Sequence, residues 1–353
     1  MIKKYLYFIF KIFLVIFLIL LLKTLYIGGV FKSIDNYNAG TMTHVYTNMP
    51  GTEDLAYDKV HNLLFISSAN RWATTLQHEN PLDGIYALNM DSLNQVPKKI
   101  LTTYSGDFHP HGISVLQQEG NTYLFVVNHN KTGSYIEKFK FENETLKYLK
   151  SYNSELLFSP NDVAALTDST FYVTNDHGSK TKFGITLEAY LQLPRSYVVY
   201  FDGHRYKKVI KNLKYANGVI LSQDKSRLFI ATSTGQKILI YTVKPKGDLI
   251  LKHFLNTHIG NDNITVEAAT GDLWVGAHPK LLKFTGHAKD STKISPSEVL
   301  NIHREKNGIY TQTVYYLNDG HEISGSSVAY KFGNSIFVGD VFQQKLLRIT
   351  VKN

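Results

Sequence analysis

The sequence contains no cysteine, which excludes disulfides, thiol nucleophiles and cysteine-ligated zinc or iron–sulfur centres. An oxidising compartment permits disulfides without requiring them, so the absence fixes no location. Proline is sparse, nine in 353 residues, and no Pro- or Gly/Ser-rich linker divides the chain. A composition that is 43% hydrophobic and 13% aromatic leaves no disordered class open. The formal net charge is +9, yet no Lys/Arg cluster interleaved with aromatics accounts for it. Lys3, Lys4, Lys11 and Lys23 bracket the apolar N-terminus and the other cations are scattered. That distribution reads as solvated surface, and no nucleic-acid partner is expected.

What is present begins at the N-terminus. Residues 5–22 are apolar apart from Lys11, long enough to span a bilayer with that lysine snorkelling to the interface. The following Lys23-Thr24-Leu25-Tyr26-Ile27 offers no small-residue cleavage signal. The expectation is an uncleaved signal-anchor over residues 1–30, with its flanking lysines cytoplasmic. Residues 31–353 then form one exported domain, periplasmic or extracellular, tethered to the membrane. Oligomeric state is not legible.

A short strand-like motif with a central aromatic recurs along the rest of the chain. Its centres are Phe65, Phe125, Tyr172, Phe229, Trp274 and Phe337, spaced 45 to 63 residues apart. Shortly before each lies a second element that opens polar or small and turns apolar. These are Glu53-Asp54-Leu55-Ala56, His111-Gly112-Ile113-Ser114, Asn161-Asp162-Val163-Ala164, Asn217-Gly218-Val219-Ile220, Asp262-Asn263-Ile264-Thr265 and Ser326-Ser327-Val328-Ala329. Short strands and turns in six similar units, with no long helical pattern, predict an all-β six-bladed β-propeller. A two-sheet sandwich has no reason to repeat six equal units. Residues 183–195 break the pattern and read as a short amphipathic helix ending near Pro194, placed to cap one mouth of the propeller.

In a propeller the first strand of each blade lines the central channel, so the polar openings converge on one ring. Glu53, Asp54, Asp162 and Asp262 crowded together would repel and raise one another's pKa unless a cation neutralised them. With the amide oxygens of Asn161, Asn217 and Asn263, the set is all oxygen and suits calcium over magnesium. Asn-Asp and Asn-Gly pairs are usually turn formers; their repetition at one phase of the repeat is what argues for a site. His111 occupies the same ring position in the second unit, where a general base could reach bound water. His129, His177 and His278 end the aromatic strands of their units.

At these residues the chain resembles the paraoxonase/arylesterase family. The resemblance rests on Gly51-Thr52-Glu53-Asp54, Pro110-His111-Gly112-Ile113-Ser114, Val126-Val127-Asn128-His129, Pro160-Asn161-Asp162, Ala216-Asn217-Gly218, Asp262-Asn263-Ile264 and Asp272-Leu273-Trp274-Val275-Gly276, in order from about residue 45 onward. It implies a propeller with two calcium ions in its tunnel. The catalytic one would be held by Glu53, Asn161, Asn217, Asp262 and Asn263. A structural one would take Asp54, Asp162 and the Ile113 carbonyl. The resemblance also implies a His111–His129 dyad, with Glu53 as an alternative base, and places Tyr215 in the substrate wall.

The activity so implied is hydrolysis of lactones and aryl esters, a calcium-polarised carbonyl being attacked by water that His111 deprotonates. Two alternatives stand beside it: a catalytically silent, calcium-pinned propeller that binds a ligand or partner, and a sugar-lactone hydrolase of the related gluconolactonase type. Vertebrate family members close the ring with a disulfide, which this chain cannot form. Residues 42–46 pairing with the last blade are expected to close it instead. The loop Ala69-Asn70-Arg71-Trp72 also departs from the family, so substrate preference does not carry over.

Overall fold

A computed structural model of the chain describes residues 2–72 and 80–351. Apolar runs too rich in β-branched and aromatic residues to leave exposed build six sheets of four or five strands, arranged in sequence order and antiparallel but for the short edge strand Leu101–Thr102, which runs parallel to its neighbour in blade 2. Blade 1 runs Thr52–Asp58, Leu63–Ser68, Gly84–Asn89 and Lys98–Lys99 from the axis outward. Blades 2 to 6 open on the inner strands Pro110–Gln118, Pro160–Ala165, Ala216–Leu221, Gly260–Val266 and Ser326–Phe332. Each repeated aromatic lies on the second strand of its blade, and those strands are buried on both faces. That explains their continuous apolar character, since a strand with one wet face would alternate.

The core is not central. Six apolar clusters each join two neighbouring blades, the last pairing Tyr46 and Phe337 of blade 6 with Leu64 and Ile66 of blade 1. Truncating one such wedge residue, Phe125→Ala, is expected to cost about 3–5 kcal/mol in a denaturant melt. Because the apolar groups fill the wedges, the axis is left to polar side chains.

Ring closure follows the expectation. The strand Gly40–Thr47 pairs antiparallel with Lys345–Val351, with Met42 opposite Ile349 and Tyr46 opposite Leu346. Thus the outermost strand of blade 6 comes from the start of the domain, and ladder hydrogen bonds close the propeller without a covalent clip.

Among the described residues, three α-helices of nine or more residues accompany the blades. Helix α1, Ile2–Ile27, carries the apolar N-terminus and is solvent-facing through most of its length. Helix α2, Lys182–Leu191, is shorter than the sequence suggested. Gln192 turns left-handed at φ 50° and closes it, two residues before Pro194. Helix α3, Leu281–Lys289, had no signal in the sequence: Lys280 at its N-cap makes no side-chain cap bond. Both α2 and α3 lie at the mouth from which the polar residues face out.

Candidate active site

Every inner strand breaks register with its neighbour at its polar opening. The breaks fall between Thr52 and Asp54, Pro110 and Ile113, Pro160 and Val163, Ala216 and Val219, Asn261 and Ile264, and Ser326 and Val328. A regular strand sends adjacent side chains to opposite faces; a bulge re-aims them. Here it turns both members of each polar pair toward the axis, where the inner strands approach closely. A Cβ on Gly112 would stand 2.4 Å from Asp162 Oδ1, and one on Gly218 would stand 2.7 Å from the Asn263 Cα. Glycine is the residue that fits.

The pairs divide between two levels. Glu53, Asn161, Asn217 and Asp262 floor an upper cavity of about 450 Å³. Asp54 and Asp162 face a lower one of about 370 Å³ at the other end of the channel. All are nine-tenths buried or more.

At the upper level Glu53 is the most connected group. Asn263 Nδ2 donates to its Oε1 at 2.8 Å and to its carbonyl at 3.0 Å, and Ser327 Oγ donates to that carbonyl at 2.7 Å. His111 Nε2 lies 3.0 Å from Oε1, and Arg71 Nη2 lies 3.7 Å from Oε2. Burial alone would raise this carboxyl, but His111, Arg71 and Asn263 outweigh it and hold its pKa down at about 2. The histidine continues a relay. His111 Nδ1 is 3.0 Å from His129 Nε2, and His129 Nδ1 is 2.9 Å from Ser134 Oγ. Burial, followed by the His111 charge and then Arg71, lowers His129 to about 3, so its ring is neutral. Asp262 is raised by burial and partly restored by His278, whose Nε2 lies 2.9 Å from its Oδ2. The His278 ring stacks on Phe284 of α3 at 3.7 Å.

At the lower level no cation is among the groups that set Asp54 or Asp162. Asp54 accepts backbone N–H groups from Leu55 at 2.8 Å and from Ile113 of blade 2 at 2.7 Å. Asp162 repeats this with Val163 and with Val219 of blade 4, both at 2.7 Å. Each carboxylate therefore staples two inner strands. Burial pushes both well above the usual carboxylate range. Asp162 and Glu53 push Asp54 further, and the Glu53 and Asp262 charges add to Asp162. The group of Ile113 that meets Asp54 is its N–H.

Whether the upper set suits a cation can be tested on its unpaired atoms. Glu53 Oε2, Asn161 Oδ1, Asn217 Oδ1 and Asn263 Oδ1 are buried without a hydrogen-bond donor. Leaving one such oxygen unpaired costs about 1–3 kcal/mol, and a cation is one partner that could satisfy several of them. Among the described residues no group of three or more His, Cys, Asp or Glu side chains is arranged for a metal. The set depends on amide oxygens, which is the donor chemistry calcium accepts and zinc does not.

The cavity walls are largely apolar: Ile185 and Tyr190 from α2, Leu282 and Phe284 from α3, Phe342, and Ile27 at the end of α1. Tyr215 stands in this wall with φ 57°, left-handed backbone unusual for a bulky residue, its ring edge-on to His177 at 5.0 Å. Sequence reading missed the Arg71 contact, the His278 partner of Asp262 and Ser134 at the end of the relay. His278 alone left a trace, by ending its strand as His129 does.

The Arylesterase family matches residues 33–348. The chain is similar to serum paraoxonase/arylesterase 1 of Homo sapiens, 34% identical over 305 residues that cover 84% of this chain and 85% of that protein. Against serum paraoxonase/arylesterase 1 of Mus musculus the identity is 37% over 242 residues, 68% of each. Among solved structures, the calcium-binding protein regucalcin of Agrobacterium tumefaciens shares the fold, with a TM-score of 0.54 at 10% identity, covering 89% of this chain and 96% of that one.

Proposed function

The chain belongs to the paraoxonase/arylesterase family, and on that premise we propose that it is a calcium-dependent carboxylic ester hydrolase acting on lactones and aryl esters. The observation that carries the reading is the conjunction of four unpaired buried oxygens with a two-histidine relay at one cavity floor. Glu53, Asn161, Asn217, Asp262 and Asn263 would hold a catalytic calcium. Asp54, Asp162 and Ile113 would hold a second, structural one. A calcium ion bound at the upper set supplies a Lewis acid for the ester carbonyl and offsets the charge of the tetrahedral oxyanion.

The protein's own groups do the rest. Neutral His129, with Nδ1 donating to Ser134, presents Nε2 as an acceptor for His111 Nδ1–H. That fixes the His111 tautomer, with Nε2 as the atom that would take a proton from water if Glu53 were engaged in holding a cation. The imidazolium so formed returns the proton to the departing alkoxide or phenoxide. His278 orients Asp262, and the apolar walls keep bulk water from the reacting carbonyl. Those walls favour aliphatic and aromatic esters over the hydroxyl-rich lactones of sugars.

Helix α1 is placed across the membrane in this reading, with the propeller outside the cytoplasm. It is apolar enough to span, and none of it is buried in the protein over its most apolar window. Its last turn is tied to the cavity mouth. Thr24 Oγ1 donates to the Tyr190 carbonyl at 2.7 Å, and Leu282 N–H donates to the Gly28 carbonyl at 3.2 Å. The substrate entrance therefore lies beside the point where the chain leaves the lipid.

The test is a panel of γ- and δ-lactones and phenyl acetate, assayed with the detergent-solubilised full chain in calcium and in chelator. Chelation is expected to abolish hydrolysis, and His111→Gln to lower kcat by about 100-fold or more. Turnover unaffected by chelator would overturn the metal-dependent mechanism.

A further inference from the structure

Outside the relay, a second histidine is held more tightly than either of its members. His109 is buried, and its ring lies between two carboxylates: Nδ1 is 2.7 Å from Asp83 Oδ2 and Nε2 is 2.9 Å from Asp107 Oδ1. Its backbone is fixed to the relay strand, its N–H donating to Asn128 Oδ1 at 2.8 Å and its carbonyl accepting His129 N–H at 3.3 Å. Asp83 in turn uses its other oxygen to accept the Asn70 N–H at 2.8 Å. One chain of contacts thus runs from blade 2 through His109 and Asp83 to Asn70 of blade 1. The next two residues are Arg71, whose guanidinium reaches Glu53 and the Pro110 carbonyl, and Trp72, stacked on Phe342 at 5.3 Å.

We propose that His109 is a positioning residue: as an imidazolium clamped between Asp83 and Asp107, it fixes the segment that holds Arg71 and Trp72 over the reaction cavity. A neutral ring offers only one N–H and so leaves one carboxylate without a donor, whereas the imidazolium satisfies both. Other polar side chains do not replace it. Glutamine cannot reach both carboxylates with charge, and losing the charge leaves the buried Asp83 and the half-buried Asp107 facing each other.

The charged and titratable groups around the ring are Asp83 and Asp107 in contact and His129 beyond. The Asp83 hydrogen bond raises the His109 pKa above the usual histidine value; burial opposes it and Asp107 adds to the rise. The sign follows: the clamp is complete below the ordinary histidine range near pH 6.5 and is lost as pH rises through the elevated value. The position of Arg71, and through it substrate affinity, depends on pH in the same window.

This inference rests on the hydrolase reading only for its kinetic readout. In phenyl acetate hydrolysis, His109→Gln is expected to raise KM about 10-fold while kcat stays within about 3-fold, a split that marks lost positioning rather than lost chemistry. Arg71→Gln should raise KM by at least as much and lower kcat as well, because its guanidinium also helps hold Glu53 ionised, and the double variant should be no worse than Arg71→Gln alone, because both break one chain of contacts. Wild-type KM should rise with pH across the window, and His109→Gln should be flat there.

Emission from Trp72, one of only two tryptophans, identified by difference against Trp72→Phe, tests the clamp with no substrate present. It should change in His109→Gln and in Asp83→Asn, the second variant serving if the first folds poorly. Fully additive KM effects, or unchanged Trp72 emission in both variants, would overturn the proposal. An inactive wild type whose Trp72 emission still responds would instead count against the hydrolase reading and leave the clamp standing.

Discussion

Glu53 and Asp54 are neighbours on one bulged strand, yet they belong to opposite regimes. Glu53 faces the upper cavity, meets His111, Arg71 and Asn263, and keeps its charge against burial. Asp54 faces the lower cavity, meets two backbone N–H groups and another buried acid, and is driven toward its neutral form. On the proposed reading, one ring of acids serves two functions. The upper level is furnished with cations, unpaired oxygens and a proton relay, as catalysis requires. The lower level joins blade 1 to blade 2 and blade 3 to blade 4, and is built for cohesion.

That contrast can be broken by exchanging losses between levels. Glu53→Ala is expected to cut kcat by about 1,000-fold or more while shifting the melting temperature little. Asp54→Ala strands the Leu55 and Ile113 N–H groups and is expected to destabilise by about 3 kcal/mol in a denaturant melt. The molecules that still fold should keep most of their turnover in saturating calcium. If the two variants behaved alike in both measurements, the division into levels would fail.

A subtler test uses acids with no cation near enough to hold them ionised. Burial raises Asp340 to about 7, against two backbone donors on its Oδ1, and its Oδ2 has no partner. Burial likewise raises Glu298 to about 7, with Lys32 opposing. Both folded values exceed the unfolded ones, so their stability is complete below about pH 4 and is lost as pH rises to about 7. Melting temperature should therefore fall modestly between pH 5 and pH 8, and Asp340→Asn, which keeps the Oδ1 contacts, should flatten part of that slope. A slope unchanged in this variant would place the titrating group elsewhere.

The blades were legible in the sequence because a strand buried on both faces is apolar at every position, as Leu64-Phe65-Ile66 and Leu228-Phe229-Ile230 are. The polar ring was legible because bulges recur at one phase of the repeat. Which member of each pair faces up was implied by the family resemblance and not by the residues' own pattern, since a bulge suspends the alternation that such a pattern relies on. Arg71 reaches Glu53 from a loop whose path no periodicity encodes. Helix α3 lacks a capping residue and contains Gly286, so it left no mark. His109 carried no signal at all, because its partner Asp83 comes from the loop between the second and third strands of blade 1 and Asp107 from the segment leading into blade 2.

The most direct measurement is the number of calcium ions bound, by calorimetric titration of the calcium-free full chain, its Glu53→Ala variant and its Asp54→Ala variant. The account predicts two ions for the natural chain and one for each variant, with turnover lost alongside the Glu53-dependent ion and stability alongside the Asp54-dependent one. No binding to the natural chain, or a single ion that either substitution abolishes, would contradict it.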